Sequence, residues 1–367
     1  MHVVLAGGGT AGHVEPALAL ADALRRQDPG VEITALGTER GLETELVPAR
    51  GYDLALIPPV PLPRRLTPEL LTVPSRLAGA IAAVRDILDE RSADVVAGFG
   101  GYVALPAYLA AARRRVPIVV HEANARPGLA NRVGARLTHH VALGSPATRL
   151  PHGRYIGMPL RQSVATLNRA ARREEAGSEF GLDPRRTTLL VFGGSQGARR
   201  LNSVLSVTVP ELLTAGIQVL HAVGPKNADV AVDDFSDSGR YVALPYIERM
   251  DLAYAVADLA LCRAGATTCA ELTAVGLPAM YVPLPIGNGE QRLNAQPIVE
   301  AGGGLVVDDA ALTPDVVREQ VLPLLLDPDR LARMGAAAAS LGRRDADATL
   351  ALMVRDAAAT VDGRSPR

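Results

Sequence analysis

The 367-residue chain carries 38 basic and 39 acidic residues, a net charge of −1. No global field therefore draws nucleic acid, and any anionic ligand has to be met by local groups. Hydrophobic residues make up 48% and aromatics 3%, which favours α/β packing over an aromatic-rich sandwich or an aromatic-stacking RNA binder.

The length predicts two domains. The chain opens on an apolar strand, HVVLA, without the charged start of a signal peptide. The longest uncharged stretches, 95–112 and 272–289, are broken by Gly and Pro and read as strand, turn and helix. A soluble or at most peripheral protein is expected. Cys262 and Cys269 stand without a second cysteine pair or a histidine cluster, so buried reduced thiols are expected rather than a zinc site.

Strand-like apolar runs at 3–6, 31–36, 54–57, 95–98, 118–121 and 140–143 alternate with helix-period segments such as 17–26 and 78–88. Alternation of this kind predicts a parallel sheet covered on both faces. The pattern pauses at Gly157-Met158-Pro159, and 167–184 is charged and reads as a linker. A new strand, glycine loop and helix begin at Thr187, followed by strands at 218–223, 241–244, 259–262, 279–282 and 304–307. Two doubly wound domains are predicted, over residues 1–161 and 162–344. A terminal helix within 345–361 is open to packing on either one.

Both domains begin with a glycine loop that leads into a helix, where exposed N–H groups favour anions. In the first, Gly7, Gly9 and Gly12 satisfy G-x-G-x-x-G, so a dinucleotide-binding reading stands beside a sugar-nucleotide one. Its ribose-binding acid would be Glu39, 27 residues past Gly12 and beyond a further glycine. The second loop, GGSQG at 193–197, breaks that fingerprint but offers the Ser195 hydroxyl to a diphosphate. Further on, CRAGATTCAE at 262–271 ends a strand and places Glu271 about one turn into a helix. A carboxylate there can accept two hydrogen bonds from a ribose diol; the alternative is an ordinary solvated helix carboxylate. The polar loop 287–294 suits sugar hydroxyls or simply caps a helix.

Together these segments resemble a bacterial family that transfers N-acetylglucosamine from UDP-N-acetylglucosamine to undecaprenyl-diphospho-N-acetylmuramoyl-pentapeptide, or lipid I. The matching stretches are GGGTAGHVEPALALA (7–21), HEANARPGLANR (121–132), GMPLR (157–161), FGGSQGARRLN (192–202), CRAGATTCAEL (262–272) and GNGEQRLNA (287–295). They occur in the family's order and span nearly the whole chain. Two departures are visible: Met158 where the family often has Asn, and Glu290-Gln291 where it often has two glutamines. The second leaves open which of the two reads the sugar hydroxyls.

The resemblance implies a GT-B glycosyltransferase fold, with two Rossmann-like domains facing across a cleft, lipid acceptor on the first and donor nucleotide on the second. It implies that Thr10, Ala11 and Gly12 line the site beside the sugar, with Asn124 and Gln291 contacting it. Arg161 and Ser195 would serve the diphosphate, and the Ile247 backbone uracil. Ala266, Thr267, Thr268, Cys269, Ala270 and Glu271 would serve phosphate and ribose. His13 is the candidate base for a one-step inverting transfer to the acceptor C4 hydroxyl, which forms lipid II.

No DxD-like pair follows a strand, so no metal is expected to bridge the diphosphate, and the transferase reading calls for no cofactor. A UDP-N-acetylglucosamine epimerase of similar fold and an NAD(P)-dependent oxidoreductase remain as alternatives. The prenyl chain of lipid I implies a peripheral protein on the cytoplasmic face of the cell membrane. The segment 61–73, with Leu62, Leu66, Leu70 and Leu71 beside Arg64 and Arg65, is the candidate contact with anionic lipid, unless it only covers its own domain.

Overall fold

The structure, a computed structural model, describes residues 1–60, 72–194, 197–227, 239–286 and 289–360. The chain divides into two compact units, Met1–Arg161 together with Arg344–Arg367, and Gln162–Arg343. Each is a parallel sheet wrapped by helices, the doubly wound pattern that the alternation predicts.

In the first unit the elements run β1 (His2–Gly7), α1 (Ala11–Gln27), β2 (Glu32–Gly37), α2 (Glu43–Ala49), β3 (Asp53–Leu56) and α3 (Val73–Glu90). They continue as β4 (Val95–Gly100), α4 (Ala104–Arg114), β5 (Ile118–Glu122), α5 (Leu129–Gly134), β6 (His140–Leu143) and β7 (Gly153–Tyr155). The sheet order is β3-β2-β1-β4-β5-β6-β7. Every residue of β1 and β4 is buried, as strands covered on both faces require, and this is why they read as unbroken apolar runs. Helix α3 turns Val84 and Leu88 into the core with Ile81 packed against it. The edge strand β7 is exposed throughout and has no apolar signature, so sequence reasoning missed it.

The second unit holds α6 (Gln162–Ala165), α7 (Arg169–Phe180), β8 (Thr188–Phe192), α8 (Arg199–Thr214), β9 (Gln218–Ala222), β10 (Tyr241–Leu244), α9 (Met250–Val256) and β11 (Leu259–Cys262). After these come α10 (Ala266–Val275), β12 (Ala279–Tyr281), α11 (Glu290–Glu300), β13 (Gly304–Val306), α12 (Pro314–Val316), α13 (Leu322–Leu325) and α14 (Pro328–Ser340). Its sheet runs β10-β9-β8-β11-β12-β13.

The charged stretch expected to be a linker is instead helix α7. Asn168 caps its first turn by accepting from Ala171 N at 3.2 Å, and Gly181 ends it in the left-handed region at φ +67°. Its arginines fasten it to the sheet. Arg169 is half-buried and donates to the carbonyls of Tyr254 (2.8 Å), Gly276 (3.1 Å) and Ala257. Arg173 grips both oxygens of Asp258 at 3.0 and 2.8 Å. What looks like solvated charge is an anchor at the start of β11.

The last helix, α15 (Ala346–Ala359), belongs to the first unit. Leu350, Ala351, Val354 and Ala357 enter the same core as Leu20 and Leu24 of α1, and Asp347 pairs with Arg26. Among the described residues no helix is long and apolar enough to cross a membrane. The segment 61–71, with its leucines and Arg64 and Arg65, lies outside the described residues.

Candidate active site

In doubly wound sheets ligands gather beyond the carboxyl ends of the strands where the strand order reverses. In the first unit that point lies between β1 and β4. The first glycine loop leaves β1 there, and Gly100-Gly101 leaves β4 beside it. His13 sits in the opening turn of α1, with Nδ1 at 3.2 Å from the Gly8 carbonyl and 3.2 Å from Thr10 Oγ1. A carbonyl oxygen only accepts, so Nδ1 carries the proton and Nε2 keeps the lone pair that a base uses. Desolvation by burial lowers the His13 pKa below 6.5, against the opposing charge of Glu122 and the Gly8 hydrogen bond. The neutral imidazole is therefore the resting form near pH 7.

The close approach of the two loops depends on glycine. Gly101 has φ +76°, and a Cβ there would stand 2.3 Å from the Gly8 carbonyl oxygen. At Gly100, with φ +95°, a Cβ would come within 3.3 Å of His13 Nε2. Thr10, Ala11, Gly12 and His13 thus occupy one turn at the switch point.

Asn124 follows β5, in a loop held by the buried carboxylate of Glu122. Glu122 accepts from Asn124 N at 2.9 Å, Gly128 N at 3.0 Å and Asn131 Nδ2 at 3.0 Å. Asn131 is held in turn by the Tyr108 hydroxyl at 2.7 Å. Arg161 closes the unit with Nε at 3.9 Å from Glu15, a carboxylate on α1 that also accepts from Arg50 at 2.8 Å.

In the second unit the strand order reverses between β8 and β11, and β11 leads into α10. Glu271 is buried at 6% exposure, which rules out a solvated carboxylate, and its Oε2 accepts from Tyr254 OH at 2.7 Å. Near the N-terminus of α10, Thr267 Oγ1 is enclosed without a hydrogen-bond partner among the described residues. Ala266, Thr268 and Ala270 are partly exposed around it. Cys269 points inward; its N–H bonds the Gly265 carbonyl, and burial raises its thiol pKa.

The turn after β11 is tied to α11. Gln291 Oε1 accepts from Ala264 N at 3.1 Å and Leu284 N at 2.9 Å, and Asn294 Nδ2 donates to the Ala264 carbonyl at 3.3 Å. Arg263 pairs with Asp309 at 2.6 Å. Ile247 is buried in the loop after β10, within the same unit as α10. Ser195 lies outside the described residues. Among the described residues no group of three or more His, Cys, Asp or Glu is placed to hold a metal ion.

Residues 3–143 match the N-terminal domain of glycosyltransferase family 28, and residues 188–350 match its C-terminal domain. The chain belongs to glycosyltransferase family 28. A family 28 relative from Streptomyces coelicolor, named a UDP-N-acetylglucosamine--N-acetylmuramyl-(pentapeptide) pyrophosphoryl-undecaprenol N-acetylglucosamine transferase, is 68% identical. That alignment covers 98% of this chain and 99% of the relative. The crystal structure of Acinetobacter baumannii MurG superposes with a TM-score of 0.78 at 28% identity, over 97% of this chain and 99% of that one. A UDP-GlcNAc 2-epimerase from Neisseria meningitidis shares the fold at a TM-score of 0.67 and 14% identity, covering 97% and 100%. The two Rossmann-like units are thus those of a GT-B glycosyltransferase.

Family 28 membership removes the oxidoreductase reading, and the first loop gives a physical reason. Gly9 N, which a dinucleotide phosphate would need, donates instead to the buried carboxylate of Glu43 at 3.1 Å. Glu39, the candidate ribose acid, is exposed. Sequence reasoning singled out neither Glu43, Glu122 nor Tyr254. Glu122 lies inside a quoted motif, but only its three donors reveal its use.

Proposed function

We infer that this chain transfers N-acetylglucosamine from UDP-N-acetylglucosamine to the C4 hydroxyl of the N-acetylmuramoyl-pentapeptide of lipid I. The products are lipid II and UDP, in peptidoglycan synthesis. Identity of 68% along almost the full length of a relative bearing that name carries the inference. The local chemistry supports it. A neutral imidazole with its lone pair on Nε2 is equipped to take the acceptor hydroxyl proton as the sugar carbon is attacked. In the second unit, the helix amides near Ala266 and the Thr267 hydroxyl suit the charge that builds on departing UDP.

Residues 1–161, with the helix of 345–361, are proposed to receive the lipid acceptor, and 162–344 the nucleotide. The proposed donor contacts are Thr10, Ala11, Gly12, Asn124, Arg161, Ser195, Ile247, Ala266–Glu271 and Gln291, with Glu271 on the ribose diol. Because the acceptor carries a long prenyl chain, the enzyme is proposed to act peripherally on the cytoplasmic face of the membrane, with 61–73 on anionic lipid.

The deciding experiment supplies radiolabelled UDP-N-acetylglucosamine and a polyprenyl-diphospho-muramoyl acceptor. Label should move to the lipid, with inverted configuration and stoichiometric UDP. Release of UDP or an epimerised sugar without acceptor, and no labelled lipid, would establish the epimerase instead.

A further inference from the structure

We propose that Glu43 is a positioning residue for this transfer, clamping the first glycine loop in the conformation that presents His13. The proposal rests on the reading of His13 as the base. Glu43 opens α2 with no exposed surface, and no cation pairs with it among the described residues. An isolated buried carboxylate is expensive unless hydrogen bonds replace its water. Here its donors come from three separate parts of the switch point. Oε2 accepts from Gly9 N at 3.1 Å, and Oε1 from Thr38 N at 3.0 Å and Tyr102 OH at 3.2 Å. Thr38 Oγ1 stands 3.5 Å from Oε1 and 3.0 Å from the Tyr102 hydroxyl.

Glycines clear the room for this side chain. A Cβ on Gly37 would lie 2.3 Å from Glu43 Cγ, and one on Gly41 would lie 2.1 Å from its Cδ. An apolar side chain would fill that space more cheaply, but it would leave the Gly9 and Thr38 N–H groups unpaired. The Tyr102 ring also packs on the loop, 2.6 Å from where a Cβ on Gly9 would stand. Gly9 is thus held by a hydrogen bond to Glu43 and by the Tyr102 ring. Its neighbour Gly8 supplies the carbonyl that orients His13 Nδ1. A shift of Gly9 moves that carbonyl and re-aims the imidazole, and errors near 1 Å in a reacting group cost up to about a hundredfold in rate.

Glu43→Gln tests this, because its amide nitrogen must face one of the two N–H donors. With both substrates saturating, turnover should fall by about 10- to 100-fold, by more than the donor KM rises. Amide exchange in the peptide 7–14 should quicken, and the far-ultraviolet spectrum should stay native. Wild-type transfer is measured first, so that failure of the functional reading shows as no labelled lipid with any variant. A folded Glu43→Gln with wild-type turnover overturns the proposal, even with a lowered melting temperature. If Glu43→Gln does not fold, Thr38→Val, which strips one hydroxyl from the same cluster, should show a smaller loss of turnover and faster exchange. Unchanged values of both in that variant overturn the proposal too.

Discussion

The hydroxyl of Tyr254 on α9 donates to Oε2 of Glu271 on α10 at 2.7 Å, and both side chains are buried. The bond holds the carboxylate in one orientation. A carboxylate has further lone pairs, so this leaves acceptor capacity for a ribose diol. Glu271→Ala should weaken UDP-N-acetylglucosamine binding by about 1–3 kcal/mol. Tyr254→Phe, which keeps the carboxylate but removes this bond, should cost about 1 kcal/mol or less. Calorimetry on folded variants decides the matter, and equal affinity for Glu271→Ala and wild type would remove Glu271 from the site.

Turnover should depend on neutral His13. Burial lowers its pKa, so the acid limb of the rate profile should lie below pH 6.5. His13→Ala should reduce turnover about 10²–10⁴-fold with donor affinity kept. The charge of Glu122 raises the same pKa, so Glu122→Gln should move the acid limb to lower pH. A limb that stays in place in that variant, or normal turnover without His13, would assign the proton to another group.

The role of Gln291 can be separated from that of Glu290. The Gln291 carbonyl is occupied by Ala264 N and Leu284 N, which leaves its amide nitrogen to donate to a ligand. Gln291→Glu keeps the accepting oxygen and deletes the donor. It should leave the fold intact and weaken donor binding by about 1 kcal/mol. A larger loss from Glu290→Ala than from Gln291→Glu would move the sugar contact to Glu290.

Acid should destabilise each unit through its buried histidines. Burial pushes both His121 in the first unit and His221 in the second down to about 4. Their unfolded value is near 6.5, so between about pH 6.5 and 4 the unfolded chain binds a proton that the folded unit refuses. Stability should fall with pH in that window, by about 1.4 kcal/mol per pH unit for each histidine, and the effect should level off below about pH 4. Urea melts from pH 7 to 4.5 read this slope directly; flat midpoints would mean that the histidines are already charged when folded.

Membrane attachment is testable on the segment 61–73. Flotation with anionic vesicles should be lost in Arg64→Glu with Leu70→Glu, while affinity for UDP-N-acetylglucosamine is retained. Undiminished flotation of the folded double variant would place the membrane contact elsewhere.

The strands of both sheets were readable because burial on two faces forces long apolar runs, as in β1 and β4. The first glycine loop was readable because the close approach of Gly8 to Gly101 leaves no room for a side chain. Two kinds of feature escaped. In α7 only Ala176, Gly177 and Phe180 are buried, so composition spoke for solvent while the arginines went to backbone carbonyls. The carboxylates of Glu43 and Glu122 take their meaning from distant donors. Gly9, for one, lies 34 positions from Glu43, and no local pattern announces such a pairing.

The placement of α15 carries a consequence for biogenesis. The first unit is discontinuous, since its core borrows Leu350 and Val354 from the far end of the chain. During synthesis the second unit has all its residues before the first is complete, and α1 waits for the part of its core that α15 supplies. A stop codon near residue 343 would therefore injure the half of the protein encoded first. An isolated N-terminal unit should gain stability when residues 344–360 are grafted after Arg161.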